Sequence, residues 1–345
     1  MNPEKPLVSI ITPTYNHGKY IGECIESVKA QTFSNWEMIV INDGSTDNTD
    51  EIAKKTAAGD SRIQIINQQN KGIFRLDQTY NYGLKIAKGE YIAILEGDDY
   101  WEPDKLEVQI NALENDKAIV MGWGKAASRV AFQKENYQVH PVRAAKNYSF
   151  YFNEPLGIIF NAVFDDFFPP LTYIIRKDAL LKIGGFIQVL PFPSVDLSTV
   201  LALSKIGRFH FSDRILGTWR IFPEQTTKTL GIDIFEGGNK IIVNHYRSLT
   251  ADEKSRINFT EIEIWKSYHK RKVIAYSRSG RFKLIKREFK GARKDYLVSL
   301  KYRGLTEPIW KIRSLTGLIF SFLHLDVEML AKWFGKGSLK QKPNL

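Results

Sequence analysis

The 345-residue sequence is almost free of cysteine. Its single thiol, Cys24, cannot make an internal disulfide, so no oxidising compartment is implied and a reducing cytoplasm is expected. No window holds the roughly 18 uncharged apolar residues that a membrane-spanning helix needs. The opening MNPEKPLVSIITPTYN lacks a basic region followed by an apolar stretch and a small-residue cleavage site, so no signal peptide is expected. No nucleic-acid motif accompanies the pI near 9.4, and no nucleic-acid partner is expected. What remains is the composition of a folded globular chain, 43% hydrophobic and 25% charged.

The net charge of +11 is uneven. Residues 1–239 hold 25 Lys and Arg against 29 Asp and Glu, whereas residues 240–345 hold 24 against 9. The basic character therefore belongs to the last third, which points to a different partner for it.

In the first hundred residues strands alternate with helices. Leu7–Thr12, Trp36–Ile41, Arg62–Ile66 and Glu90–Leu95 read as strands from their apolar, β-branched runs. Between them Gly18–Gln31, Asp47–Gly59 and Leu76–Ala87 read as helices, and Glu102–Leu113 follows with Pro103 in its first turn. This order predicts an α/β fold with a mostly parallel sheet covered by helices, in which ligands bind beyond the carboxyl ends of the strands. The first strand runs out into Thr12-Pro13-Thr14-Tyr15-Asn16 and the second into Asn42-Asp43-Gly44-Ser45. The fourth runs out into Glu96-Gly97-Asp98-Asp99. Three acids within four residues repel one another unless solvated, protonated or neutralised by a cation. Their hard oxygen ligands suit Mg2+ or Mn2+, whose shell substrate phosphates can complete.

With VSIITPTYN at 8–16, VINDGSTDNT at 40–49, NKGIFRLDQTYNYGLKIAKGEYIAILEGDD at 70–99, IGGF at 183–186 and Asp196 before a helix, the sequence resembles a family 2 glycosyltransferase. The resemblance covers about residues 6–225. It implies a GT-A-type α/β/α sandwich, placed over 1–235; the region over 236–345 lies outside the resemblance and reads as basic and mainly helical from its own charge and spacing. It also assigns roles. Thr12, Pro13, Tyr15, Asn16 and Asp43 would hold the nucleotide of a UDP- or dTDP-sugar donor, joined by Asn81, Glu96, Gly97, Asp99 and Arg220. Asp98 would bind the metal, and Asp196 would be the catalytic base of a single inverting displacement. Local turn chemistry explains Asp43 and Asn16 as well, and a helix-terminal acid explains Asp99 and Asp196 as well.

The sequence departs from the family pattern at four places. Glu96 stands for the more usual aspartate, Tyr80 for an arginine before Asn81-x-Gly83, Val195 for a glutamate before Asp196, and Phe222 for a histidine after Arg220. Lys71 and Arg75 are nearby substitutes for the missing positive charge, though solvated loop charge explains each alone. Asp165 and Asp166 are rival carboxylates in an aromatic stretch over 120–175 that can line an acceptor site or simply pack.

A helix is expected from Glu307-Pro308 to Phe334, with Ile312, Leu315, Leu318, Ile319, Phe322, Leu330 and Trp333 at helical spacing. With Trp310, Trp333 and the surrounding cations it fits an element at an anionic membrane surface, or equally a helix docked on the catalytic domain. The acceptor would be a glycan or a lipid-linked glycan. An inactive sugar-nucleotide-binding protein stays open as an alternative. A nucleotidyltransferase is less favoured, since the glycine-rich loop with Arg and Lys that it would carry after the first strand is absent.

Overall fold

A computed structural model describes residues 6–130, 137–141, 155–157, 168–222, 225–257, 259–301 and 306–325. The chain divides into two compact units. The first comprises Met1–Ala162, Asp166–Ile221 and Ser248–Asn258; the second comprises Val163–Asp165, Phe222–Arg247 and Phe259–Leu345. Asp165 and Asp166, the rival carboxylates, lie outside the described residues.

The first unit is built on one nine-stranded sheet. Its strands are β1 (Val8–Thr14), β2 (Trp36–Asn42), β3 (Ile63–Asn67), β4 (Tyr91–Ile94), β5 (Tyr100–Trp101), β6 (Ile119–Val130), β7 (Tyr137–His140), β8 (Ile174–Arg176) and β9 (Arg208–Ile221). They lie in the order β3-β2-β1-β4-β8-β6-β9-β5, with β7 beside β6. The core β3-β2-β1-β4 is parallel throughout. Every residue of β1 is buried, as in a strand covered on both faces. Helix α1 (Ile21–Lys29) turns Ile21, Cys24, Ile25 and Val28 into the core at helical spacing. The sheet is further covered by α2 (Thr49–Ala57), α3 (Leu76–Ile86) and α4 (Lys105–Asn115). Pro103 lies before α4 rather than in its first turn, because Asp104 is the N-cap and the amide of Lys105 turns back to the carbonyl of Glu102.

Register sets the level of the site. Thr14 pairs with Asn42 and Asn42 with Asn67, so three strands end on one line. Two further helices, α5 (Lys177–Lys182) and α6 (Asp196–Leu203), follow β8.

The second unit is helical. Besides the helix Gly231–Ser248, it holds α7 (Glu261–Ile285), α8 (Phe289–Lys301) and α9 (Pro308–Phe322). They pack around Tyr296: a Cβ at Gly280 of α7 would lie 2.7 Å from its ring, and one at Gly317 of α9 would overlap it. Ser299 bonds Ser314 across α8 and α9 at 2.9 Å. The last helix stops at Phe322, twelve residues before the expected end. His324 takes a left-handed φ of 54°, and the amide of Leu325 closes onto the carbonyl of Phe320, a Schellman-type stop. Leu330, Trp333 and Phe334 lie outside the described residues. No helix of the described residues is long and apolar enough to cross a membrane.

Candidate active site

The parallel strands end in three turns that touch one another. The amide of Asp43 donates to the carbonyl of Thr14 at 2.9 Å, and that of Gly97 to the carbonyl of Pro13 at 3.1 Å. Gly97 is required by closeness: a Cβ there would lie 2.5 Å from Thr14 Oγ1. Thr12 and Thr14 bury hydroxyls that have no hydrogen-bond partner among the described residues, while the ring of Tyr15 is exposed.

Asp43 and Asn16 serve the turns themselves. Asp43 Oδ1 accepts from Gln68 Nε2 at 2.6 Å and from the Lys71 amide at 2.9 Å, and Oδ2 accepts from the Gly72 amide at 3.1 Å. Asn16, at φ 55°, accepts from the Thr46 amide at 2.8 Å. Both residues thus shape the floor beyond β1 and β2. The side chains of Lys71 and Arg75 are exposed.

The acidic turn separates its three carboxylates by partner. Glu96 accepts a hydrogen bond from Tyr80 Oη at 3.0 Å. Burial, then the charges of Asp98 and Asp196, push Glu96 up to about 8. Asp99 is 1% exposed and accepts from the amide of Arg220 at 3.0 Å. Burial and the charges of Asp98 and Glu96 raise it well above the usual carboxylate range. Asp98 keeps the more open carboxylate, with His17 Nδ1 at 3.9 Å from its Oδ1.

Arg220 locks this turn from β9. Its guanidinium donates to the Asp98 carbonyl at 2.5 Å and pairs with Glu23, and it lies 4.5 Å above the Tyr100 ring. The positive charge is thus buried beneath the turn.

Asp196 opens α6, and a relay from α3 sets its place. Asn81 clamps Phe186, donating to its carbonyl at 2.9 Å and accepting from its amide at 2.8 Å. The glycines of the IGGF segment make this possible: Gly184 and Gly185 take φ of 91° and 95°, and a Cβ on Gly185 would collide with the Asn81 carboxamide. Ile187 then donates to Thr199 of α6 at 2.9 Å. Asn81 therefore spends its side chain on the backbone that leads to Asp196. Asp196 Oδ1 is buried without a hydrogen-bond partner among the described residues. Burial raises this carboxyl against the backbone amides of Leu197 and of Asp196 itself. Its charge in turn helps raise Glu96, Tyr80 and Tyr173, so Asp196 lies close to the acidic turn. Val195, where a second acid was expected, is 3% exposed and packs inward.

Sequence reasoning missed His17, Glu23 and Tyr173. His17 had a usable signal, one residue past the strand-end loop; Glu23 and Tyr173 come from elements distant in sequence.

The described residues hold no cluster of three or more His, Cys, Asp or Glu side chains arranged for a metal. A divalent cation bound mainly through substrate phosphates needs only one or two protein ligands. Asp98, open and facing His17, fits that role; Asp99, buried and committed to Arg220, does not.

The model of Glycosyl transferase family 2 matches residues 9–169. An uncharacterised glycosyltransferase of Rickettsia typhi, RT0329, is 33% identical over 230 residues, which is 66% of this chain and 68% of that protein. The glycosyltransferase GlyG of Streptococcus pneumoniae is 40% identical over 117 residues, 34% of this chain; the match spans only 38% of GlyG. Among solved structures, S. aureus TarS 1–349 in complex with UDP-GlcNAc aligns with a TM-score of 0.56 at 17% identity, covering 95% of this chain and 92% of that one. The mannosyltransferase PcManGT of Pyrobaculum calidifontis, in complex with GDP-Man and Mn2+, aligns at 0.51 and 15% identity, covering 93% and 87%. At these identities the structures speak for the fold, which is the GT-A α/β architecture.

Proposed function

Since the chain belongs to glycosyltransferase family 2, we propose that it moves a sugar from a nucleoside-diphosphate donor to a hydroxyl of a glycan or lipid-linked acceptor, with inversion at the anomeric carbon. One observation carries the reading: Asp196 presents a buried carboxylate oxygen with no hydrogen-bond partner among the described residues, close enough to the acidic turn for its charge to raise Glu96. A carboxylate held so, with its pKa raised, is suited to take a proton.

In this reading Asp196 accepts the proton of the acceptor hydroxyl as that oxygen attacks the anomeric carbon opposite the leaving diphosphate. The Thr12–Asn16 and Asp43 turns seat the nucleotide, with Tyr15 open to it. Asp98, with His17 beside it, would hold Mg2+ or Mn2+, which supplies Lewis-acid neutralisation of the diphosphate when bound. Glu96 and Asp99 sit beside Asp98, Glu96 held by the Tyr80 hydroxyl and Asp99 with its charge offset by Arg220, and Asn81 holds Asp196 in place through Phe186. UDP- and dTDP-sugars lead as donors; TarS and PcManGT, bound to UDP-GlcNAc and GDP-Man, leave the base open. The single buried cysteine suits a reducing cytoplasm.

The test is a panel of UDP-, dTDP- and GDP-sugars with Mn2+ or Mg2+, read as nucleotide release and as product mass. Metal-dependent release from one donor, absent in Asp98→Ala, is the expected result. Tight donor binding without any release or transfer would instead make the chain a sugar-nucleotide-binding protein.

A further inference from the structure

Helix α9 is inside out. Its buried face consists of Ser314, Gly317 and Ser321, the smallest side chains it has. Leu318 and Phe320 flank that face and pack partly against the Tyr296 cluster, but the other large aliphatic side chains and Phe322 point to solvent: Ile309 is 64% exposed, Ile312 65%, Leu315 52%, Ile319 50% and Phe322 60%, with Leu323 beyond the helix end at 60%. These six are among the fifteen large apolar side chains exposed across the described residues. The cause lies beneath the helix. Tyr296 fills the space against Gly317, and Ser299 bonds Ser314, so only small residues let α9 approach α8.

At 100° per residue the exposed residues fill one continuous arc of about 140°. Lys311 stands at one border of that arc and Arg313 at the other. Arg293, on α8, lies 4.6 Å from the Phe322 ring, and Arg278, on α7, lies 5.1 Å from that of Trp310. Trp310 itself is half-buried between Arg278 and Arg313, so the membrane-facing tryptophan expected from the sequence is replaced by an aliphatic stripe. The helix has 15 residues, about 22 Å at 1.5 Å per residue, too short to span a bilayer core of about 30 Å.

We propose that this stripe is a membrane-surface contact: α9 lies in the plane of an anionic lipid surface, its aliphatic arc among the upper acyl chains and its bordering cations among the headgroups. Charge selects this occupant. A second copy of the chain would bring two strongly basic segments together, each with 24 Lys and Arg against 9 Asp and Glu over residues 240–345. An anionic lipid surface is attracted by that same charge. The proposal is independent of the glycosyl-transfer reading, because its test reads binding and not turnover.

The experiment uses full-length protein with phosphatidylglycerol–phosphatidylcholine vesicles and with pure phosphatidylcholine vesicles, read by co-sedimentation over a salt series, with melting temperature and sedimentation velocity alongside. Wild-type protein is expected to bind the anionic vesicles about tenfold or more tightly than the neutral ones, to weaken with salt, and to retain a salt-resistant remainder from the apolar arc. The triple variant Ile312→Ser, Leu315→Ser, Ile319→Ser should lose binding about tenfold or more with its melting temperature unchanged, since all three side chains face solvent. Arg313→Gln should lower only the salt-sensitive part. Three results would overturn the proposal: no binding of wild type to anionic vesicles at low salt, a lowered melting temperature in the triple variant, or a wild-type dimer that the triple variant turns into a monomer. The second means that the stripe is covered from within the chain, and the third that it pairs copies of the chain.

Discussion

Replacing Asp196 by asparagine separates a catalytic carboxylate from a helix-terminal one, because the two roles predict opposite signs of stability change. As an acid in the first turn of α6, Asp196 would favour the helix by about 0.3–1 kcal/mol, and its loss would destabilise the protein by that amount. The structure gives the other sign. Burial outweighs the backbone amides and raises this carboxyl above its unfolded value, so the ionised form is less favourable in the fold than in the unfolded chain. That penalty is absent below the unfolded value of about 3.9, grows as pH rises from there to the folded value, and is constant above it, amounting to about 1.4 kcal/mol for each unit of elevation. Asp196→Asn should therefore match wild type in thermal stability near pH 4 and equal or exceed it near pH 7.5. Turnover should fall by about 100-fold or more, the scale of a lost general base, while donor affinity changes by no more than about twofold. Thermal melts across pH, nucleotide release and donor titration measure the three quantities. A variant less stable at neutral pH that also binds donor poorly would refute the reasoning and leave Asp196 a structural cap; so would one that keeps wild-type turnover.

Asp98→Ala should abolish metal-dependent nucleotide release at unchanged melting temperature, and release that persists in chelator would remove the metal from the reading. Tyr80→Arg and Glu96→Asp, made singly and together, form a cycle: the hydrogen bond between these side chains predicts a coupling of about 0.5–3 kcal/mol in stability, and additive effects would show the two positions to be independent. Lys105 is fully buried with its ammonium over the Trp101 ring and only a 3.4 Å contact to the Tyr173 carbonyl, and burial lowers its pKa well below the usual lysine value. Lys105→Met should therefore leave the melting temperature equal or higher near pH 7, with the gain shrinking as pH approaches about 10.4, where the unfolded lysine also loses its proton; a clear loss at neutral pH would contradict this. Gly317→Ala drives a methyl into the Tyr296 ring and should destabilise the second unit by about 1–3 kcal/mol, measured by denaturant unfolding, unless α9 is not seated there.

The sequence carried the strands, their parallel order and the acidic turn, because each is written in residues close together along the chain. Leu7–Thr12 reads as a buried strand from its own β-branched run, and three acids after Ile94-Leu95 are conspicuous without any partner. The pairings that turn these pieces into a site join residues far apart. Tyr80 and Glu96 each read from the sequence as a lost feature, an absent arginine and a lengthened acid. In space the phenol meets the longer carboxylate, so each departure accounts for the other. Asn81 matches a motif that points to the donor; the fold adds what the motif does not show, two bonds to Phe186, 105 residues on, in the segment that leads to Asp196. Arg220 similarly meets Asp99 across 121 residues. The last helix shows a different limit. Apolar spacing reveals that a helix has a face but not which way the face turns, since a stripe that docks and a stripe that meets lipid have the same period. The deciding signal was the opposite stripe, Ser314, Gly317 and Ser321. Small residues at helical spacing mark close approach to a neighbour, and once they take the inner face the large residues of α9 are left with its flanks, where Leu318 and Phe320 pack, and with the outer face.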